Sequence, residues 1–335
     1  MALFNVLTEY GCESVTFVND QASGLQAIIA IHSTRRGPAF GGIRTLSYRS
    51  QSGALTDAVR LAQAMSFKAA VADLPAGGGK SIVIKHEGMK REEAFRALGK
   101  AIQKMGGSYF TGLDVGTSVE DLKALGHETR YAAVKLDFGK ATARGLVAAI
   151  RAGLKHATRN DALDGRHIAL QGLGSVGSEL ARLLHAQGAR LTVADTSATS
   201  ASQIAEETGA EVVAASRILT TECDVLSPCA LGSVFTGQIV DSLRCKVIAG
   251  SANNQLAGSG VGAALAQAGI TYVPDYVANA GALIKGVTEY VQGREVDYKV
   301  VDRIGDTTTL VLDRAKKARK PTHEIAELIA RERLA

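Results

Sequence analysis

The segment His167–Gly177 reads HIALQGLGSVG and decides the fold of the larger part of this chain. An apolar β-type run, HIALQ, leads directly into Gly172, Gly174 and Gly177, which form a G-x-G-x-x-G pattern. The residues that follow, Ser178–Ala186, have helical spacing. The glycine pattern alone is a weak signal, but between a strand and a helix it is typical of a dinucleotide-binding Rossmann fold.

The acid that ends the next strand indicates which dinucleotide binds. The run Leu191–Ala194 ends on Asp195, about twenty residues after the glycines. Its carboxylate can accept a hydrogen bond from a ribose 2′-hydroxyl and would repel a 2′-phosphate, which favours NAD over NADP. We expect the cofactor to be bound by Gly172, Gly174, Ser175, Val176, Gly177 and Asp195. The alternative is a plain glycine turn beside a surface aspartate.

Three later strands end in small or polar residues, at Pro228–Ala230, Gly250–Asn254 and Pro274–Tyr276. Strand ends of this kind line the ligand crevice of open α/β sheets. We therefore expect Cys229, Ala230 and Asn253 to lie against the nicotinamide half of the cofactor. The alternative at Asn253-Asn254 is an Asx turn.

The residues before the Rossmann pattern predict a second α/β domain. β-type runs and helical spacing alternate there, with strands at 14–18, 25–32, 80–85 and 108–111 and helices at 54–65 and 92–105. The expected fold class is α/β with two domains and a cleft between them. A mixed-sheet substrate and oligomerisation domain would occupy residues 1–141, and a Rossmann NAD-binding domain residues 142–307. Helices at about 308–335 would pack back on the first domain.

Two lysines flank a triple glycine in Met65–Lys85, MSFKAAVADLPAGGGKSIVIK. Burial and a second nearby cation would both lower the pKa of Lys80, as a lysine general base requires. A phosphate loop is disfavoured, because that motif needs glycine at position 74, which is Leu74. A plain turn between two solvated lysines, Lys68 and Lys80, remains open from this segment alone.

Composition excludes several classes of function. The chain has 335 residues, 46% hydrophobic and 21% charged, which is typical of a globular protein. The net charge is +5, but the lysines and arginines are mostly interspersed with acidic residues, and aromatic residues make up only 5% of the chain. We therefore expect no nucleic-acid partner, despite the basic run Arg314–Lys320. Four cysteines without a C-x-x-C pair indicate reduced thiols, no metal site and a cytoplasmic protein. No apolar run reaches membrane length, and no signal peptide is evident.

Seven segments together resemble the glutamate/leucine/phenylalanine/valine dehydrogenase family. They lie in family order between Gly37 and Ile284: GPAFGGIR, MSFKAAVADLPAGGGKSIVIK, GLDVGTSVEDL, QGLGSVG, SPCALG, AGSANNQLA and PDYVANAGALI. The resemblance implies reversible oxidative deamination, in which an L-amino acid, NAD and water give a 2-oxo acid, ammonia and NADH. It also implies a homo-oligomer, with dimer and octamer both open.

The resemblance assigns roles to individual residues. Lys68 would bind the substrate carboxylate, Lys80 would activate water as general base, and Asp114 would contact the amino group and shuttle protons. Further contacts follow from the same motifs: Gly41 and Gly42 beside the substrate backbone, Asn254 at the substrate carboxylate or cofactor, and Thr142 and Asn279 at the cofactor. The intact Lys68, Lys80 and Asp114 argue against the alternative of a non-catalytic NAD-binding regulator.

Two positions predict the substrate side chain. Gly112 and Leu283 match the pattern of family members acting on aromatic amino acids, and Phe40, Met65 and Leu283 would supply apolar walls. We expect a large hydrophobic substrate, phenylalanine- or tryptophan-like, with a leucine or branched-chain preference as the alternative. The chain departs from the family pattern at Leu113, Lys140-Ala141, Ala282 and Lys285.

Overall fold

A computed structural model describes residues 3–230 and 232–335, so Leu231 of the SPCALG segment lies outside the described residues. The chain forms two compact units. The first comprises residues 1–136, 286–296 and 330–335, and the second comprises 137–285 and 297–329. This division differs from the predicted boundaries at 141 and 308. The reason is that the helix that contains Thr142 begins at Phe138, capped by the Asp137 side chain, and the helix 304–318 belongs to the second unit.

The first unit contains a five-stranded mixed sheet. Its elements are α1 (Leu3–Tyr10), β1 (Ser14–Asp20), β2 (Leu25–Ser33), β3 (Ala39–Leu46), α2 (Gln51–Val71), β4 (Gly77–Ile84), α3 (Arg91–Lys104), β5 (Tyr109–Leu113) and α4 (Val119–Gly126). The strand order is β1-β2-β4-β3-β5. Strands β3, β4 and β5 run parallel, while β2 joins β1 and β4 in antiparallel pairs. The three parallel strands carry the residues described below.

The triple glycine lies inside strand β4 rather than in a loop, contrary to the sequence expectation. A Cβ at Gly77 would approach the Ser33 carbonyl oxygen to 1.7 Å, and one at Gly78 would approach the Ser66 nitrogen to 2.0 Å. A Cβ at Gly79 would lie 2.8 Å from the Tyr109 ring. These glycines therefore allow β4 to pack closely against β2, helix α2 and β5.

Helix α2 is longer than its apolar spacing predicted. It continues six residues beyond Met65 and ends at Val71, so Lys68 lies in its last turn instead of after it. Residues 66–71 contain no glycine or proline that would stop a helix. The helix ends before Asp73, whose φ of 52° is left-handed.

The second unit contains a six-stranded parallel sheet. Its elements are α5 (Phe138–Thr158), β6 (His167–Gln171), α6 (Ser175–His185), β7 (Arg190–Ala194), α7 (Ala198–Thr208), β8 (Glu211–Val212), β9 (Val225–Pro228), α8 (Gly237–Val240), β10 (Val247–Ile248), α9 (Val261–Gln267), β11 (Thr271–Tyr272), α10 (Asp275–Ala278), α11 (Gly281–Gly286), α12 (Ile304–Ala318) and α13 (Thr322–Leu334). Short 3₁₀ or π turns occupy Ile218–Thr220, Val287–Val291 and Tyr298–Arg303. The last residues of α11 and α13, and the turn Val287–Val291, cluster with the first unit.

The strand order of this sheet is β8-β7-β6-β9-β10-β11, all parallel. In order of appearance this is 3-2-1-4-5-6, the order of the doubly wound dinucleotide-binding fold, which confirms the predicted Rossmann fold. The order reverses between β6 and β9, where such sheets bind ligands. Both strands are fully buried at their centres, from Ile168 to Leu170 and from Val225 to Ser227.

Within residues 3–230 and 232–335, no helix is both long and apolar enough to cross a bilayer. The same part of the chain contains no group of three or more His, Cys, Asp or Glu side chains placed to hold a metal ion.

Candidate functional site

The first unit brings Lys80 and Asp114 into direct contact. Lys80 lies in the middle of β4, and Asp114 follows the last residue of β5. The Lys80 Nζ and Asp114 Oδ2 atoms are 2.7 Å apart, and Lys80 is only 5% exposed. Because β3 lies between β4 and β5, the two side chains meet across a strand that carries Gly41 and Gly42 there.

Those two glycines allow β3 to lie close to both of its neighbouring strands, and Gly42 lies next to Asp114. A Cβ at Gly41 would lie 1.7 Å from the Gly79 carbonyl oxygen. A Cβ at Gly42 would lie 2.5 Å from the Leu113 carbonyl oxygen and 2.9 Å from the Asp114 Cβ. The glycines thus have a role in strand packing, and the close approach of substrate implied by the resemblance stays a prediction.

Burial and charge move the pKa values of both groups. Burial lowers the pKa of the Lys80 amine, and the Arg44 cation lowers it further, while Asp114 opposes the shift. Burial by itself would raise the pKa of Asp114, but Lys80 and Arg44 together hold it below its ordinary value. Asp114 is therefore an anion, and the Lys80 amine loses its proton more readily than a solvated lysine does.

Arg44 belongs to the same cluster, although the sequence reasoning did not single it out. Its Nε donates to Asp114 Oδ2 at 2.9 Å, the same oxygen that Lys80 contacts. Its NH1 donates to Asp57 Oδ2 at 3.2 Å. Asp57 also accepts hydrogen bonds from Tyr48 at 2.8 Å and from Arg60 at 2.7 Å. The catalytic candidates therefore lie at one end of a chain of alternating charges.

A buried hydroxyl cluster holds β3 in place beside them. The Tyr109 hydroxyl and the Thr111 hydroxyl both donate to the Gly41 carbonyl oxygen, at 2.8 and 3.0 Å. Ser81 donates to the Tyr109 hydroxyl at 3.1 Å. Burial raises the pKa of Tyr109 to about 12, so this hydroxyl stays protonated and serves as a fixed donor.

The other predicted substrate residues of this unit lie on the same strands or on α2. Phe40 is buried in β3, with its ring parallel to that of Phe110 at a centroid distance of 6.5 Å. Gly112 is buried in β5 and pairs with Gly42. Met65 and Lys68 are half-buried and lie three residues apart on α2, so they share a helix face.

In the second unit the glycine loop has the geometry of a dinucleotide-binding turn. Gly172 has a φ of +91°, and a Cβ there would lie 2.7 Å from the Ala230 Cβ. A Cβ at Gly177 would lie 1.9 Å from the Gly172 carbonyl oxygen. Helix α6 begins at Ser175, three residues earlier than predicted, with exposed Gly174 as its N-cap. Its first backbone N–H groups, including that of Val176, have no partner within the helix and suit an anionic group.

Asp195 lies directly after β7, beside this loop. Its Oδ2 accepts from the Leu173 backbone N–H at 2.6 Å, and its Oδ1 accepts from the Ser197 N–H at 2.7 Å. Burial would raise the pKa of Asp195, but these backbone donors lower it overall. Each carboxylate oxygen can still accept a further hydrogen bond, as ribose hydroxyls would require.

The strand ends around this loop also fit a dinucleotide. The Cys229 N–H donates to the Gln171 carbonyl oxygen at 2.7 Å, and burial raises the pKa of the Cys229 thiol. The Asn279 Nδ2 donates to the Ser251 carbonyl oxygen at 3.0 Å and to Asn253 Oδ1 at 2.8 Å. Gln171 Oε1 and Asn279 Oδ1 are among the buried side-chain oxygens of the described residues that have no hydrogen-bond partner. Such orphaned acceptors are rare and suit a ligand with amide or hydroxyl donors.

The remaining predicted residues of this unit lie in different settings. Asn254 is exposed and has a left-handed φ of 53°. The Gln255 N–H donates to Asp275 Oδ2 at 3.0 Å, so it is not the donor of an Asx turn at Asn253. Thr142 is buried in α5, where its Cα would lie 3.0 Å from a Cβ at Gly281. Leu283 is buried in α11, two residues after that glycine.

Comparison with known proteins identifies relatives over the whole chain. Residues 12–131 match the family model described as Glu/Leu/Phe/Val dehydrogenase, dimerisation domain, and residues 135–209 and 194–335 match the model described as Glutamate/Leucine/Phenylalanine/Valine dehydrogenase. The chain is similar to a leucine dehydrogenase from Geobacillus stearothermophilus, with 42% identity over 100% of this chain and 94% of the relative. It is also similar to a phenylalanine dehydrogenase from Thermoactinomyces intermedius, with 37% identity over 99% of this chain and 94% of the relative. Among solved structures, an L-tryptophan dehydrogenase from Nostoc punctiforme aligns with a TM-score of 0.86 at 36% identity, covering 99% of this chain and 98% of that one.

Proposed function

The chain belongs to the glutamate/leucine/phenylalanine/valine dehydrogenase family and is an NAD-dependent amino acid dehydrogenase, and we propose that its substrate is a large hydrophobic L-amino acid, aromatic in preference. The reaction would be the reversible oxidative deamination to the 2-oxo acid and ammonia. The observation that carries this reaction is the 2.7 Å contact between the buried Lys80 amine and the Asp114 carboxylate.

The first unit would bind and deprotonate the substrate. Lys68 would bind the carboxylate through a charge-assisted hydrogen bond. Asp114, an anion, would accept a hydrogen bond from the substrate amino group and take up its proton. Lys80, whose pKa burial lowers, would remove a proton from the water that attacks the imine carbon. The same amine, once protonated, would return that proton as ammonia leaves.

The second unit would hold the cofactor. NAD⁺ supplies the hydride acceptor of the oxidation. The start of α6 after Gly174 would bind its pyrophosphate, and Asp195 would bind the adenine ribose. The orphaned Asn279 Oδ1 would accept from the nicotinamide carboxamide. Asn253 would lie against the same half of the cofactor, and Thr142 would touch the carboxamide. Asn254 would contact the substrate carboxylate or the cofactor.

The aromatic preference rests on Gly112 and Leu283. A glycine at position 112 removes a methyl group from a buried strand, which leaves more room for a ring. The relatives include dehydrogenases named for leucine, phenylalanine and tryptophan, so their names do not decide between these substrates. A methylene difference changes specificity by about 1–3 kcal/mol, so we expect a modest preference.

A panel of L-amino acids with NAD⁺ at alkaline pH, followed by NADH absorbance, tests this proposal. We expect the highest kcat/KM with phenylalanine or tryptophan. A higher kcat/KM with leucine or valine would contradict the aromatic preference. The absence of NADH formation with every amino acid would favour a non-catalytic NAD-binding protein.

We also propose a homo-oligomer that assembles through the first unit, whose residues match a dimerisation domain. Strand β1 is the edge of its sheet, and Phe17 on that strand is 57% exposed. An exposed edge strand of this kind is suited to pairing with a second copy. Light scattering after size-exclusion chromatography should give a mass that is a multiple of 34.9 kDa, and a strictly monomeric mass would contradict the proposal.

A further inference from the structure

Arg44 and Asp57 extend the contact between Lys80 and Asp114 into a fixed line of charges. Arg44 lies on β3 and Asp57 on α2, so the line joins a strand and a helix that pack together in the first unit. Arg44 Nε lies 2.9 Å from the Asp114 oxygen that also contacts Lys80, and its NH1 lies 3.2 Å from Asp57. The Arg44, Asp57 and Asp114 side chains are all less than 20% exposed.

We propose that Arg44 is a positioning residue for the reaction: its guanidinium orients Asp114 toward the Lys80 amine, and Asp57 in turn holds the guanidinium. This inference rests on the proposed function. A carboxylate has two oxygens and rotates about its Cα–Cβ and Cβ–Cγ bonds. A planar guanidinium restrained by a second carboxylate limits that rotation, because its donors point in fixed directions.

Arg44 also supplies a charge that Lys80 cannot supply during turnover. Lys80 must be neutral when it removes a proton from water, and in that state it no longer holds Asp114 as an anion by charge. Arginine stays protonated throughout, so Arg44 favours the ionised form of Asp114, the form that can accept the substrate's proton, in both states of Lys80. The positive charge of Arg44 therefore allows the Lys80 amine to be neutral while the Asp114 carboxylate, 2.7 Å away, stays charged.

The charged and titratable groups around Lys80 act in opposite directions. Asp114 and Asp57 raise the pKa of Lys80, whereas burial and Arg44 lower it. Two phenols contact this cluster: the Tyr109 hydroxyl contacts Ser81, next to Lys80, and the Tyr48 hydroxyl donates to Asp57. Burial raises the pKa of both tyrosines above the ordinary value, so both stay neutral. Arg60 pairs with Asp57, and Lys68 lies on the same helix as both. Loss of Arg44 should therefore raise the pKa of Lys80, and loss of Asp57 should lower it.

The test compares pH profiles of kcat/KM for the best amino acid in three variants, Arg44→Gln, Arg44→Lys and Asp57→Asn. The acid limb of this profile reports the base of the free enzyme. Arg44→Gln should move the limb to higher pH and reduce kcat/KM about 10- to 100-fold, as expected for a misplaced catalytic group. Arg44→Lys keeps the cation, so it should leave the limb near its wild-type position and recover part of the loss. Asp57→Asn should move the limb to lower pH.

Arg44→Gln and Asp57→Asn should shift the acid limb of the pH profile in opposite directions. A merely structural role of Arg44 and Asp57 would instead lower activity without moving this limb. Thermal unfolding and NADH binding, measured on each variant, show that it is folded. An Arg44→Gln profile that superimposes on that of an active wild type would overturn the inference and leave the proposed function intact. If Arg44→Gln does not fold, Asp57→Asn decides: a limb at lower pH supports the inference, and an unchanged or higher limb overturns it. A wild type without turnover would instead overturn the proposed function.

Discussion

Replacing Gly42 with alanine should disable the site by moving Asp114. The new Cβ would lie 2.5 Å from the Leu113 carbonyl oxygen and 2.9 Å from the Asp114 Cβ. Carbon and oxygen atoms in close contact are about 3.3 Å apart, so the end of β5 would have to move by about 0.8 Å. Because Asp114 is the first residue after β5, its carboxylate moves with the strand end and loses the 2.7 Å contact with Lys80.

The expected loss follows from that displacement. A misplacement of about 1 Å costs about 100-fold in rate, equivalent to about 2.7 kcal/mol in the activation barrier. Overpacking should also lower the free energy of unfolding by about 1–3 kcal/mol. NADH absorbance gives kcat/KM, and urea unfolding gives the stability.

Gly88→Ala is the matched control, because Gly88 is an exposed glycine of the same unit. A Cβ there would meet its nearest neighbour, His86 Nδ1, at an ordinary 3.5 Å, so activity and stability should match the wild type. A Gly42→Ala variant with kcat/KM within about twofold of the wild type would refute the geometric reasoning, since twofold is far below the effect of a 1 Å displacement.

Two further changes test specificity. Gly112→Ala combined with Leu283→Val should raise the ratio of kcat/KM for L-leucine to that for L-phenylalanine by about 10- to 200-fold; an unchanged ratio would remove these positions from substrate selection. Asp195→Ala removes the proposed ribose acceptor and its charge, so KM for NAD⁺ should rise by about 10-fold or more, and the rate with NADP⁺ relative to NAD⁺ should increase. Steady-state kinetics with both cofactors measures this second effect, and an unaltered cofactor ratio would count against the assigned role of Asp195.

Local sequence signals were sufficient to predict much of the fold. The strand before Gly172, the glycines and the acid at position 195 all act within one strand–turn–helix unit, so their spacing along the chain fixes their relation in space. The alternation of strand and helix patterns predicted the α/β class for the same reason, and the structure confirms that class. The start of α6 was predicted three residues late, because the glycine pattern obscures the first turn of the helix.

The sequence could not predict what depends on contacts between distant strands. The triple glycine before Lys80 resembles a loop in the sequence, yet it lies in β4 because helix α2 and Tyr109 pack against it. Lys68 was placed after a helix that in fact continues through it. Arg44 was visible only as the last residue of GPAFGGIR, and its two carboxylate partners lie 13 and 70 residues away. Its position two residues after Gly42 on one strand was the available signal, since alternate residues share a face.

We propose that the buried Lys80 amine acts as general base in this NAD-dependent amino acid dehydrogenase. The most direct measurement compares NADH formation by the wild type and by Lys80→Ala, with NAD⁺ and an aromatic L-amino acid at alkaline pH, together with NADH binding by fluorescence. We predict a loss of kcat of about 100- to 10,000-fold, the range expected for removal of a general base, with NADH binding unchanged. Turnover by Lys80→Ala close to the wild-type rate would contradict the account.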